Sequence, residues 1–99
     1  MLYACYLARD GRTEEAIRLA GSVEAIPELC YNLACTYALA GRKEQALAML
    51  KRDIEENHAT PKKRNLQRGW ARKDRDLEAL HGDPVYEVLV ADEPERNGR

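Results

Sequence analysis

Residues Ala4 to Ala20, ACYLARDGRTEEAIRLA, return thirty positions later as Ala34 to Leu50, ACTYALAGRKEQALAML. Ala4, Cys5, Ala8, Gly11, Arg12, Glu14 and Ala16 recur as Ala34, Cys35, Ala38, Gly41, Arg42, Glu44 and Ala46, seven identities in seventeen positions. A chain that repeats itself at such a period is built from supersecondary units, each stacked on the next to bury a face it cannot bury alone. Within the second copy, Leu29, Leu33, Tyr37 and Ala40 are spaced by three or four residues, one apolar stripe of a 3.6-residue helix. Gly41 breaks the pattern, and Ala46, Leu47, Leu50 and Ile54 begin a second stripe that runs to about Asn57. The unit is therefore predicted to be an αα-hairpin, with Pro27 in its first turn and Gly41 at positive φ between the helices.

Composition narrows the packing. The chain has 99 residues, no Phe and only 6% aromatics, while Ala and Leu together supply 26 residues. Small and aliphatic side chains of this kind favour closely packed helices over strands. A stretch of this length is expected to form one domain and not a multi-domain enzyme. No apolar run approaches the roughly 18–20 residues that cross a bilayer, and the opening MLYACYLARDGR lacks a basic region ahead of its apolar stretch.

Tyr31-Asn32-Leu33-Ala34, Tyr37, Gly41, Ala46 and Leu50 resemble the signature of the tetratricopeptide repeat (TPR) family, whose period is about 34 residues. Leu50 stands where that family often has an aromatic residue, and Ala34 where it often has Gly. The first copy, with Tyr3, Leu7, Gly11, Ala16 and Ala20, is similar to a repeat shortened by about a turn in each helix. Downstream, Asp74-Arg-Asp76-Leu77, Leu80, Asp83-Pro84 and Tyr86 resemble the closing segment D-x-D-L-x-x-L-x-x-D-P-x-F that follows the last repeat in many bacterial TPR proteins, with Tyr86 in place of Phe. The resemblance implies an all-α fold: αα-hairpins stacked as a short right-handed superhelix with a C-terminal capping helix. It divides the chain into a single domain over 1–91, with repeat one at about 1–22, repeat two at about 27–58 and a third repeat-like helix with the capping segment at about 61–91. Residues 92–99, DEPERNGR, are expected to form a flexible acidic tail.

Local chemistry supports the same reading of the last third. Thr60-Pro61 and Asp83-Pro84 each pair an N-cap residue with Pro at the first helical position. Leu66 and Trp70 are predicted to face inward from the intervening helix, and Val85, Tyr86, Val88 and Leu89 to cover the open end of the stack.

No P-loop, GxGxxG, GxSxG or HExxH pattern occurs. The expectation is a non-enzymatic chain without cofactor. Cys5, Cys30 and Cys35 lack the two-to-four-residue pairing of a zinc site, and Cys5 and Cys35 fall at equivalent positions on different helices, so they read as small buried hydrophobes and no metal site is expected. An odd number of thiols without CxxC spacing fits a reducing, cytoplasmic setting. His58 and His81 read as polar residues at helix boundaries.

Charge is segregated. Residues 62–75 hold seven cations and one anion, whereas residues 76–99 hold two cations and seven anions. Arg64, Arg68 and Arg72, spaced by four, form a ridge on one side of a helix. In the TPR phase, Arg64 and Arg68 would line a concave groove beside Tyr31, Asn32 and Cys35. Guanidinium forks bind carboxylates bidentately, so Tyr31, Asn32, Cys35, Arg64, Arg68 and Arg72 are the candidate groove for an acidic peptide or a C-terminal carboxylate, with the acidic tail as a competitor. The function expected is a protein-protein interaction scaffold. Nucleic-acid binding through the ridge 62–75 is the alternative, disfavoured by a net charge of −1. An accessory domain of a larger enzyme is the other alternative. Leu2, Tyr3, Ile17 and Leu19 would be exposed at an uncapped N-terminal end, which a homodimer could bury.

Overall fold

The computed structural model describes residues 3–95, and their side chains from Ala4 onward. It is all-helical, with no strand among the described residues. Six α-helices follow one another: α1 (Tyr3–Arg9), α2 (Thr13–Ser22), α3 (Cys30–Leu39), α4 (Lys43–Asn57), α5 (Pro61–Lys73) and α6 (Pro84–Leu89). Short 3₁₀ turns, Pro27–Leu29 and Arg75–Leu80, precede α3 and α6. The helices pack as hairpins, α1 on α2 and α3 on α4, with α1 and the Arg75–Leu80 turn both resting on α3.

The internal repeat has a structural cause at nearly every identical position. Gly11 (φ +80) donates its N–H to the Ala8 carbonyl, and Arg12 to that of Leu7, at 3.1 and 2.9 Å. Gly41 (φ +79) and Arg42 repeat this pair on Ala38 and Tyr37, at 3.2 and 2.8 Å. Both are Schellman motifs, which satisfy the last carbonyls of a helix and need a residue in the left-handed region. The same Arg carbonyls accept the first bonds of the next helices, from Ala16 and Ala46. Ala4, Cys5, Ala8 and Ala16, with their counterparts Ala34, Cys35, Ala38 and Ala46, are all buried, where small side chains let the paired helices approach. Glu14 and Glu44 are exposed in first turns, where a carboxylate faces the positive end of the helix dipole.

The main core lies between α3 and α4 and continues under the closing segment. Leu33, Tyr37, Leu50 and Ile54 meet Leu77, Leu80, Tyr86 and Val90. Fully burying one such aliphatic side chain contributes about 1.5–3 kcal/mol. Thr60 caps α5 by accepting from Lys63 N at 3.1 Å, and Asp83 caps α6 by accepting from Val85 N at 2.9 Å and Tyr86 N at 3.3 Å.

Two expectations need correction. Leu66 and Trp70 do not face the core: they are 69% and 65% exposed. The inward residues of α5 are Asn65, Arg68 and Ala71. A stripe of two apolar residues was outweighed by polar side chains whose hydrogen bonds are met from the other end of the chain. Likewise Val85 and Val88 on α6 are exposed, and the apolar contacts are made by Tyr86, Leu89 and Val90. Of the expected N-terminal apolar end, Ile17 and Leu19 are half-buried, while Leu2 and the Tyr3 side chain lie outside the described residues.

Candidate functional site

The six candidate groove residues divide into two places. Tyr31, Asn32 and Cys35 line an open cleft of about 810 Å³ between α1, α3 and the C-terminal end of α5. Arg64, Arg68 and Arg72 do not reach it. They stand on another side of α5 and hold the segment after α6.

That segment is tied down residue by residue. Arg64 donates a fork to Glu93, from Nε at 2.7 Å and Nη2 at 2.8 Å, and reaches the His58 carbonyl through Nη1. Arg68 donates to Glu93 at 2.7 Å, to Asn65 Oδ1 at 2.8 Å and to the Leu89 carbonyl at 3.1 Å. Arg72 donates to Asp92 at 3.1 Å and to the Val90 carbonyl. Asn65 completes the clasp: its amide accepts from Glu93 N and donates to Glu93 O, both at 2.9 Å. The part of the expected tail that is described, Asp92 to Glu95, thus lies against α5, and part of the segregated charge meets in space as Arg64, Arg68 and Arg72 pair with Glu93 and Asp92.

The two guanidinium donors, Arg64 and then Arg68, hold the Glu93 carboxyl down at about 2 from an ordinary 4.5. A depressed folded-state value means that the contribution is fully present above the unfolded value and is lost as pH falls through the folded one. The clasp is therefore expected to persist at pH 4 and to release only between about 4.5 and about 2. An NMR titration of the Arg64 Nε–H resonance checks this; release centred at or above pH 4.5 would contradict it.

The cleft is built from two helix faces and a turn. Spacing of four residues puts Cys5 and Arg9 on one face of α1, and Tyr31 and Cys35 on one face of α3. The turn after α5 brings Asp74 and Asp76 down onto them. Asp74 Oδ1 caps the turn by accepting from Asp76 N at 2.9 Å, and its Oδ2 accepts from the Tyr31 hydroxyl at 2.7 Å. Asp76 accepts from Arg9 Nε at 3.2 Å and also from its Nη2. The thiols complete the floor: Cys35 Sγ lies 3.8 Å from Asp74 Oδ2, and Cys5 Sγ 3.7 Å from Asp76 Oδ2. Burial, and then the neighbouring carboxylates, push both thiols up from their ordinary value, and burial with the Asp74 hydrogen bond does the same to the Tyr31 hydroxyl. All three remain protonated donors at neutral pH. The D-x-D-L pattern thus has a physical meaning, since each aspartate anchors the closing segment to an earlier helix while Leu77 enters the core.

Around this floor the rim is exposed. Trp70 stands beside Lys73 and Arg75, neither of which makes an ion pair with any described residue. None of these three, nor Arg9, was among the candidate groove residues. For Lys73 and Arg75 the signal in the sequence was the end of the basic run, where the spacing of four gives way to the turn; Arg9 carried none.

Another polar group escaped the sequence reading. Asp53, on the inward side of α4, is buried, accepts from Gln67 Nε2 at 2.7 Å and Asn57 Nδ2 at 3.3 Å, and lies 3.5 Å from His58 Nε2. Its partners on α4, α5 and their connection make it a joint between those helices. His81 stacks on Tyr86 with ring centroids 5.3 Å apart. No described helix is long and apolar enough to cross a membrane. No protein-family model matches the chain, and no curated protein or solved structure does.

Proposed function

We propose that the chain is a short TPR-like array of helical hairpins that acts as a non-enzymatic scaffold, seating an acidic segment or C-terminal carboxylate of a partner protein in the cleft between α1, α3 and α5. The observation that carries this reading is the rim, where an indole 65% exposed stands beside two cations with no ion-pair partner among the described residues. A large exposed aromatic next to unpaired cations is the composition of a peptide-binding hot spot, an apolar anchor with electrostatic steering. The duplicated Schellman turns support the reading of repeated αα-hairpins; a right-handed superhelical stack with the α1 and α3 faces on its inner surface is part of the proposal.

This places the acidic ligand at Trp70, Lys73 and Arg75 with Asn32 and Tyr31 behind them, instead of at the Arg64, Arg68 and Arg72 ridge. Glu93 and Asp92 already occupy that ridge. The same pairing weighs against nucleic-acid binding, because three of the seven cations in residues 62–75 are matched by the chain itself.

Trp70 is the only tryptophan, so its emission reports directly on the rim. Titration with Asp/Glu-rich peptides carrying a single Leu should shift that emission, and matched Lys-rich peptides should not. The paired substitution Lys73→Glu, Arg75→Glu should weaken binding at least tenfold, about 1.4 kcal/mol, whereas Lys62→Glu, Lys63→Glu should leave it unchanged. Equal binding by both variants, or no emission change with any acidic peptide, would remove the proposal.

A further inference from the structure

The floor of the cleft holds a set of groups whose proximity the peptide reading does not require. Cys35 Sγ, an Asp74 oxygen and an Asp76 oxygen all lie within 4.8 Å of one another. Cys5 Sγ adds a second thiol 3.7 Å from Asp76 Oδ2. We propose that Cys35, Asp74 and Asp76, with Cys5 as the fourth donor, form a binding site for a borderline-soft divalent cation of the zinc type.

Spacing is the first support. A tetrahedral zinc ion with Zn–S near 2.3 Å and Zn–O near 2.0–2.2 Å has ligand-to-ligand edges of about 3.4–3.8 Å. The two thiol-to-carboxylate separations, 3.7 and 3.8 Å, already fall on such edges. Among Cys35, Asp74 and Asp76 the separations of up to 4.8 Å require a contraction of about 1 Å, and Cys5 would join them through its contact with Asp76.

Donor chemistry is the second. Two thiols with two carboxylates offer sulfur and oxygen together, which suits zinc and excludes magnesium and calcium, whose sites are built from oxygen alone. Each thiol that ligates forms an S–metal bond and releases one proton to solvent, so binding strengthens as pH rises.

Orientation is the third. Metal-binding carboxylates are usually held by outer hydrogen bonds, and both aspartates have them: Tyr31 O–H and Asp76 N–H on Asp74, Arg9 on Asp76. A carboxylate offers about four lone-pair directions, so Arg9 and Tyr31 can keep their bonds while another lone pair turns to the cation. The four donors come from α1, α3 and the turn after α5, so a bound cation would join both repeats to the closing segment.

The test uses the full chain without a metal-binding tag, reduced with a phosphine and titrated with Co²⁺ under argon. Expected are one Co²⁺ per chain, thiolate-to-cobalt charge-transfer absorption in the near ultraviolet, visible ligand-field bands of tetrahedral intensity, and loss of both on adding Zn²⁺. Cys35→Ser and Asp76→Asn should each weaken Co²⁺ binding at least tenfold. Cys30→Ser removes a buried thiol outside the cluster and should bind as the wild type does. Circular dichroism of each variant separates loss of a ligand from loss of the fold, and the wild-type titration stands without any variant. Absence of charge-transfer absorption at millimolar Co²⁺, or a band that survives Cys35→Ser but not Cys30→Ser, would overturn the site. The outcome is independent of the peptide titration once chelator is added to the acidic-peptide experiment.

Discussion

Truncating Tyr86 to alanine is expected to destabilise the protein by about 3–5 kcal/mol, the range for deleting a large buried aromatic. Tyr86 is 1% exposed and stands where α6 closes over the core, touching the cluster that contains Leu77, Leu80 and Val90. Alanine would leave a cavity that α6, only six residues long, cannot close by shifting without giving up the Asp83 cap. A domain of this size holds about 5–15 kcal/mol in all, so the variant should lose a large fraction of its stability. Tyr86→Phe is the instructive companion. The hydroxyl donates to the Ala71 carbonyl at 3.2 Å, near the end of α5, a bond worth about 0.5–1.5 kcal/mol. Urea denaturation of both variants checks the pair: a loss for Tyr86→Phe as large as that for Tyr86→Ala would show that the ring is not what holds α6.

Asp74→Ala should cost about 2–4 kcal/mol in chelator-containing buffer. Two effects combine. Losing an N-cap acceptor costs about 0.5–2 kcal/mol, and Asp74 Oδ1 is the cap of the Arg75–Leu80 turn. Removing Oδ2 strands the half-buried Tyr31 hydroxyl, whose desolvation without a partner costs about 1–3 kcal/mol. Tyr31→Phe removes the stranded group, so the double variant should be less destabilised than the two single losses added together. Simple additivity in that thermodynamic cycle would mean that the hydroxyl and the carboxylate are not coupled.

Much of the fold was legible because its signals are local. The repeat announced Gly11 and Gly41, and those glycines do close Schellman turns; Thr60 and Asp83 announced the caps they form. α5 turns a different face inward from the one its apolar spacing predicts, because of a long-range pairing that periodicity does not register. Hydrophobic spacing ranks Leu66 and Trp70 above Arg64 and Arg68, but the acidic partner of those arginines, Glu93, lies 29 and 25 residues further on. The cleft floor was out of reach in the same way. Cys5 and Asp76 are separated by 71 positions, and Cys35 and Asp74 by 39, so no spacing rule joins them. What the sequence did carry was the equivalence of Cys5 and Cys35 in the two copies, which places two thiols on corresponding faces of neighbouring helices.

In a linear array of repeats each unit touches only its neighbours, and the ends can fray while the middle holds. Arg9 and Asp76 depart from that scheme, tying the first helix to a turn 67 residues later. Through that contact the opening helix shares the fate of the closing segment. Opening of α1 and release of the Arg75–Leu80 turn are then coupled events, which amide hydrogen exchange would register as a shared opening of two segments far apart in the chain.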